Sequence, residues 1–388
     1  MRKFNEGESV RVFFNALHSK SGGGVTYLSN ILPQLAKDNN LKIHVCINQS
    51  QIPLFPGLFK YSKKTHLFEC LLPNIKTHVV SFQNSFWKTI AYEQFKMPFL
   101  IRNVNADVTF SPANYGPLFA PHPILLLRNA LSVAFVERRF KKLLYWGFLY
   151  IGTVLSVFSA TKVIVVSNFA KKASIGKLAK ITPGKFYKIG HGVSTRFQPL
   201  SFDLRSQTQL LTVSDLYIQK NLHTLLKAVS LVIKKNPLIK LTIVGDPIDD
   251  DYSQYLISLV AKLNIEEVVT FAGRMGPDQL CDLYQQCAVF VFPSTVETFG
   301  NPLLEALASG APVACSSAPA MIEVAHDAAI YFDPLNDEEI ATVLIKLLSS
   351  PDKRKILSDM GVDRAKLFSW RQTAESTAAV FKAAARSK

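Results

Sequence analysis

Short apolar runs rich in Val, Ile, Leu and Phe recur along this chain, and each is followed by a stretch of helical character. Short β-branched or aromatic runs bounded by turn formers read as buried strands. The first half predicts strands at 10–16, 42–47, 107–110, 124–127 and 162–166. The second half predicts them at 210–213, 240–244, 268–271, 289–292, 313–315 and 330–332. Strands alternating with helices predict parallel α/β layers, and the pattern occurs twice.

Between His191 and Gln207 the run Gly-Val-Ser-Thr-Arg-Phe-Gln-Pro gives way to a polar stretch without apolar periodicity, which predicts a joint. The expected organisation is a first domain over 1–190, a second over 191–367, and an Ala-rich helical tail over 368–388. Residues 143–161 carry no charge and follow the basic residues Arg138, Arg139, Lys141 and Lys142. Their length would suffice for a membrane span. Gly147, Gly152, Ser156 and Ser159 within them, and the strand that follows at once, favour a buried helix instead. The second reading is a monotopic membrane contact with the basic cluster beside it.

Composition adds the charge asymmetry. The chain has 388 residues, 48% of them hydrophobic, which suits two domain cores. Residues 1–190 hold 25 Lys and Arg against 7 Asp and Glu, whereas 191–388 hold 19 against 22. The net charges, +18 and −3, predict different partners for the halves: anionic lipid head groups, nucleic acid or an acidic substrate for the first. Five cysteines, Cys46, Cys70, Cys281, Cys287 and Cys315, show no metal-ligand spacing, and the odd count predicts reduced thiols in a cytosolic setting. The first eight residues, charged on both sides of Phe4, do not read as a signal peptide.

The densest chemistry lies beyond the run 289–292, which stops at Pro293-Ser294. Glu297 is expected in the following loop. Pro302 suits a first helical turn and Gly310 a stop, so a helix over 302–309 would contain Glu305. Such a strand edge is where open α/β sheets bind ligands. Amides from Gly300 to Leu304 would attract a phosphate, and carboxylates nearby would accept hydrogen bonds from sugar hydroxyls. Anion donors beside hydroxyl acceptors point to a nucleotide-sugar. Taken singly, Glu297 is as readily a solvated loop residue and Glu305 a capping or surface residue.

The two glutamates eight positions apart, the Phe299-Gly300 turn between them and the Ala308-Ser-Gly310-Ala-Pro312-Val313 turn together resemble the Glu-x7-Glu pattern of retaining glycosyltransferases of family four, also called glycosyl transferases group 1. The resemblance implies the GT-B fold, two Rossmann-like domains facing across a cleft, with a terminal helix crossing back to the first. It implies that Glu305 binds ribose hydroxyls and that Glu297 lies near the transferred sugar as the catalytic carboxylate. Phe299, Gly300, Asn301 and Leu303 would sit at the donor, with Lys220 on the pyrophosphate. Gly23 and Gly24, in the Gly-rich run 22–24 after the first strand, resemble the family's first loop beside sugar phosphate and acceptor.

Departures from the family pattern are as informative. In the family's Arg-x4-Lys element Lys220 holds the Lys position, while Asp215 stands where Arg is expected. Arg274 or Arg196 would then have to supply the second cation. The family's His-Asp pair after the fourth strand is replaced by Arg128-Asn129, which can donate hydrogen bonds to sugar or acceptor and cannot relay a proton as His can. Asp249-Asp250-Asp251 reads as a solvated helix start, and no metal is expected.

The resemblance implies retaining hexosyl transfer from a UDP- or GDP-linked sugar to an acceptor hydroxyl, and the charge and Phe-rich segments of the first half predict a glycolipid, polysaccharide precursor or other anionic acceptor at the cytosolic membrane face. The nucleotide-sugar is a substrate, and no cofactor is expected. Peripheral contact with an anionic membrane fits the basic first half better than nucleic acid does. Two alternatives stay open: a nucleotide-sugar epimerase of GT-B shape and a catalytically silent GT-B binding protein.

Overall fold

The computed structural model describes residues 9–62, 67–83, 85–128, 140–176 and 184–387. These divide into two compact units, one formed by the described residues up to 192 together with 370–387, the other by 193–369.

In the first unit β1 (Val10–Asn15), α1 (Gly22–Leu35) and β2 (Leu41–Asn48) are followed by a small antiparallel ribbon, β3 (Phe59–Ser62) with β4 (Leu67–Cys70). Then come β5 (Ile75–Val80), α2 (Phe86–Ala91) and α3 (Met97–Asn103). The last two are joined by a single π-helical turn, Tyr92–Lys96. β6 (Val108–Ser111), β7 (Pro123–Leu127), α4 (Phe140–Ser159), β8 (Lys162–Val165), α5 (Asn168–Ile175) and β9 (Phe186–Lys188) complete the sheet. Its order is β5-β2-β1-β6-β7-β8-β9, and every pairing is parallel. β6 and β7 are buried at every position, as expected where helices cover both faces of a parallel sheet. The strands β3, β4, β5 and β9 escape the apolar pattern because they are partly exposed edge or ribbon strands with polar residues along them.

The second unit runs β10 (Gln209–Val213), α6 (Leu222–Val232), β11 (Lys240–Val244), α7 (Asp250–Lys262), β12 (Val269–Gly273), α8 (Pro277–Gln286) and β13 (Val289–Phe292). α9 (Asn301–Ala308), β14 (Val313–Ser316), α10 (Pro319–Ala325), β15 (Ile330–Phe332), α11 (Asp337–Leu348) and α12 (Pro351–Ala365) follow. Its parallel sheet has the order β12-β11-β10-β13-β14-β15. Each of the four side chains of β13 is fully buried. Burying residues of that size contributes about 1.5–3 kcal/mol each. α13 (Trp370–Ala385) belongs to the first unit, where Trp370 and Phe381 pack on Tyr27 and Phe110 and Lys382 pairs with Asp38 at 2.6 Å.

α4 differs from the buried helix expected over 143–161. Leu149, Thr153, Ser156 and Val157 face the core, whereas Leu144, Phe148, Ile151, Leu155 and Phe158 are exposed. Among the described residues no helix is long and apolar enough to cross a membrane. Among the described residues, the uncharged part of the helix is covered on one side only. The basic cluster at its start lies outside the residues with described side chains.

Candidate functional site

In each sheet the strand order reverses once, between β10 and β13 in the second unit and between β1 and β6 in the first. Open α/β sheets bind ligands beyond the carboxyl ends of the strands at such reversals. The loops leaving β10 and β13 are stitched together there. Asn221, in the left-handed region at φ 56°, donates from Nδ2 to the Pro293 carbonyl at 3.1 Å and to that of Pro334 at 2.5 Å. The Thr295 amide and hydroxyl both bond to the Gln219 carbonyl, at 2.9 and 3.1 Å.

That stitching sets Lys220 beside Glu297. The Lys220 ammonium lies 2.5 Å from Glu297 Oε1, with the two side chains 19% and 14% exposed, so the pair is shielded yet reachable. Lys220 Nζ also lies 5.9 Å from the centre of the Phe292 ring. Gly300 follows at φ 84° and caps α9; a Cβ there would come within 2.9 Å of Met321 Cε, so both backbone and space require glycine. The helix runs from Asn301 to Ala308, one residue ahead of the expected 302–309. Its first-turn amides are those that helix geometry leaves without an i−4 carbonyl. Leu303 is in the core, so only its backbone could meet a ligand, and Phe299 is buried with its ring edge-on to Phe368 at 5.9 Å.

Glu305 sits one turn further along α9, partly buried, and accepts a hydrogen bond from the Tyr284 hydroxyl at 3.2 Å. Burial pushes its carboxyl up to about 7, and the bond from Tyr284 works against that rise. The carboxylate therefore stands near the midpoint of its titration at neutral pH, ready to accept hydroxyl protons in hydrogen bonds. α9 is held from behind by Arg205, a buried guanidinium that donates to the Ser309 carbonyl at 2.5 Å and to the Tyr284 carbonyl at 2.8 Å. A cation at the carbonyl end of a helix complements its dipole.

Asp215, in the position where the resemblance calls for Arg, accepts a hydrogen bond from the Asp246 amide at 3.1 Å and ties the β10 loop to the end of β11. Arg274 does not join the Glu297–Lys220 pair. It lies past β12, two strands from β10 or about 10 Å by sheet spacing, where its Nε donates to Asp246 at 2.7 Å. Arg196 instead pairs with Asp278 at the start of α8, at 3.2 Å. Asp249 caps α7 by accepting from the Tyr252 amide. Among the described residues no three His, Cys, Asp or Glu side chains converge as a metal site would need.

In the first unit Gly23 and Gly24 belong to the first turn of α1 itself. Gly23 is exposed, while Gly24 is buried beneath the Arg128 guanidinium: a Cβ there would come within 2.7 Å of Arg128 Nη2. Arg128 also donates from Nη2 to the His18 carbonyl at 3.3 Å, and burial lowers it to about 10. Asn129 lies outside the described residues. The sequence motifs did not announce the polar cluster around His18 and Glu93, whose members come from separate segments.

The family model described as glycosyl transferases group 1 matches residues 201–363, the stretch that carries Lys220, Glu297 and Glu305. The chain is 29% identical over 239 residues to the MMP alpha-(1->4)-mannosyltransferase of Mycolicibacterium hassiacum, covering 60% of this chain and 54% of that protein. It is 28% identical over 241 residues to the O-antigen chain mannosyltransferase B of Escherichia coli, covering 58% and 62%. The matches thus span under two thirds of these curated relatives. Similar solved folds include Anabaena HepE in complex with UDP and glucose, with TM-score 0.74, 17% identity and coverage of 96% and 100%. Another is the sucrose-phosphate synthase of Thermosynechococcus elongatus, with TM-score 0.76, 18% identity and coverage of 96% and 98%. With two parallel-sheet units and a segment over 201–363 that matches glycosyl transferases group 1, the chain has the GT-B fold and resembles that family around its paired glutamates.

Proposed function

We propose that the protein is a retaining glycosyltransferase that moves a hexose from a nucleoside diphosphate sugar to a hydroxyl of a glycan or glycolipid acceptor at a membrane face. The observation that carries the proposal is the Lys220–Glu297 pair set at the strand-order reversal, in the loop that leads into α9 and Glu305. Lys220 and the first-turn amides of α9 would neutralise the leaving diphosphate, and electrostatic stabilisation of that group would supply most of the rate. Ribose hydroxyls would donate to Glu305. A diphosphate reaching Lys220 would compete with Glu297 for the ammonium and so release that carboxylate toward the sugar. The mannosyltransferase names of two relatives favour a mannosyl donor, while the UDP complex of a structural neighbour favours a uridine base.

The membrane part of the proposal rests on a different surface. α4 exposes Leu144, Phe148, Ile151 and Leu155, and the α2 to α3 segment exposes Trp87, Phe95 and Phe99 alongside Lys88, Lys96 and Arg102. Trp87 and Phe148 touch, with ring centres 4.8 Å apart, so the two faces are continuous. Aromatic and aliphatic side chains among cations on an exposed face fit an interface with anionic lipid.

The test is a panel of UDP-, GDP-, ADP- and dTDP-sugars read by thermal shift and by product analysis with and without an acceptor. Stabilisation by one nucleotide class and transfer with retained anomeric configuration are expected. Turnover of the donor to an epimer without acceptor, or silence across the panel, would overturn the reading.

A further inference from the structure

The second strand-order reversal holds a polar cluster drawn from separate segments of the first unit. Asn15, at the end of β1 and fully buried, donates from Nδ2 to Ser111 Oγ at the end of β6, at 3.3 Å, and to Glu93 Oε1. Glu93 comes from the π-helical turn between α2 and α3 and has no exposed surface. Single π turns inside helices often mark functional positions, and here the turn delivers a carboxylate to the sheet edge. His18 Nε2 lies 3.2 Å from both Glu93 oxygens, and its ring stands edge-on to Tyr115 with ring centres 4.7 Å apart. One edge of the imidazole is thus clamped by a sealed carboxylate.

The opposite edge is held loosely. His18 Nδ1 lies 3.4 Å from the Tyr115 hydroxyl, longer than a well-made bond from an O–H donor. The His18 side chain keeps 10% of its surface exposed, where Glu93 keeps none. Of this pair the imidazole is the part a ligand can reach, and Nδ1 is the atom left to it. Burial raises the Tyr115 phenol, so that hydroxyl keeps its proton and remains a donor beside Nδ1. Two adjacent groups of this kind suit neighbouring hydroxyls of a sugar ring, each of which donates and accepts.

Charge narrows the ligand further. Lys20 donates to Thr89 Oγ1 at 3.1 Å, one turn before Glu93, and Arg128 donates from Nη2 to the His18 carbonyl at 3.3 Å. Both cations are therefore engaged, and among the described residues the charge nearest the His18 ring is the Glu93 carboxylate. An anionic group at Nδ1 would face that carboxylate across the width of the ring. A hydroxyl would not, and it can bond Nδ1 whether the ring is neutral or protonated. Through the Arg128 contact His18 also stands beside the position where the resemblance calls for a histidine and this chain has arginine.

We infer that His18 is a substrate-contacting residue of the first unit, binding through Nδ1 a hydroxyl of an uncharged sugar in the acceptor, with Glu93 and Asn15 as the residues that position its ring. The inference rests on the glycosyltransferase reading above and deepens it: the part of the acceptor held at this edge is a neutral sugar, and any anionic or lipid portion lies elsewhere along the acceptor.

NMR of the full chain carrying isotope-labelled histidine tests this, with methyl α-mannoside, methyl α-glucoside and inorganic phosphate as probes and UDP and GDP titrations on the same samples. The chain has eight histidines, and the His18 signal is the one lost in His18→Gln. At least one glycoside is expected to shift it saturably, and phosphate is not. His18→Gln keeps a donor for Glu93 at the Nε2 position and removes Nδ1. It should weaken glycoside affinity about three- to tenfold, the worth of one hydrogen bond, and keep its nucleotide affinity. Glu93→Gln should move the His18 Nε2 resonance and weaken glycoside binding by a smaller factor. No shift of His18 with either glycoside, or wild-type glycoside affinity in His18→Gln, would overturn the inference. A phosphate shift as large as the glycoside shift would overturn the choice of a neutral sugar, and an unmoved His18 signal in Glu93→Gln would overturn the positioning role. Failure of the wild type to bind any nucleotide would strike the transferase reading, while a glycoside shift at His18 would still support the sugar site.

Discussion

Each unit places a glutamate at the reversal of its strand order, and the two glutamates are treated in opposite ways. Glu297 keeps 14% of its side chain exposed and faces the full charge of Lys220. Glu93 is sealed and faces the amide of Asn15 and the imidazole ring of His18. A reachable ion pair can exchange partners when a charged ligand arrives. A sealed carboxylate held by hydrogen bonds instead fixes the groups around it, since leaving any of them unpaired costs about 1–3 kcal/mol. The same topological position thus supports a charge-handling site in one unit and a positioning scaffold in the other.

The sharpest way to break this comparison is to remove the two carboxylates separately. Glu297→Ala should lower transfer turnover by two orders of magnitude or more, in line with loss of a group that acts on the developing charge. Nucleotide affinity should change far less. Glu93→Gln should leave nucleotide affinity as it is and lower Tm, because Asn15 and His18 then compete for one amide oxygen. Equal loss of turnover and of nucleotide affinity in Glu297→Ala would place that residue in ground-state donor binding.

Glu305 gives the next largest effect and carries a pH signature. Its carboxyl is raised to about 7, so ribose hydroxyls meet an ionised acceptor above pH 7 and an increasingly neutral one below it. Nucleotide affinity should therefore fall as pH drops from 8 to 6, and Glu305→Gln should cost roughly tenfold in affinity and flatten that profile. Stability runs the other way. A carboxyl raised in the folded state contributes stability that is fully present below its unfolded value and is lost as pH rises through about 7. Glu305→Gln removes the charge and retains an acceptor for Tyr284, so at pH 8 it should be more stable than wild type by on the order of 1–3 kcal/mol. At pH 5 the advantage should shrink. A variant less stable than wild type at pH 8 would mean that the carboxylate has stabilising partners beyond Tyr284.

How much of this was legible in the sequence follows the same division. Glu297, Gly300 and Glu305 lie within one strand-loop-helix unit, so their spacing alone sets them around a helix start. The buried strands of both sheets were legible too, because strands covered on both faces are continuous apolar runs. Glu93 offered no such signal. A lone Glu in an amphipathic stretch reads as surface, and only the π turn swings it inward to meet a histidine 75 positions earlier. The exposure of α4 was hidden for a related reason. An apolar helix looks alike in sequence whether protein or a lipid face covers its second side.

A smaller effect is expected at the exposed apolar face, where the comparison predicts that only the first unit responds to lipid. Replacing Trp87, Phe95 and Phe99 together by Ser should reduce binding to anionic vesicles about tenfold, as read by cosedimentation at low salt, with nucleotide affinity intact. Wild-type binding should weaken as ionic strength rises. Vesicle binding that ignores both the triple substitution and salt would remove this face from the membrane reading.

The smallest effect concerns Asp215. Its carboxylate receives the Asp246 amide, which accounts for an acceptor at this position without requiring a charge. The charge itself stands in the same loop as Lys220 and opposes an incoming diphosphate. Asp215→Asn keeps the acceptor and removes the charge, so the loop should hold its shape while diphosphate affinity rises about two- to threefold at low salt, the scale of one screened surface charge. The gain should vanish at high salt. A persistent gain there would mean that the side-chain change altered contacts with the nucleotide. No gain at any salt would show that Lys220 is shielded from Asp215, so that the missing second cation, rather than the added anion, is what this departure from the family pattern changes at the donor site.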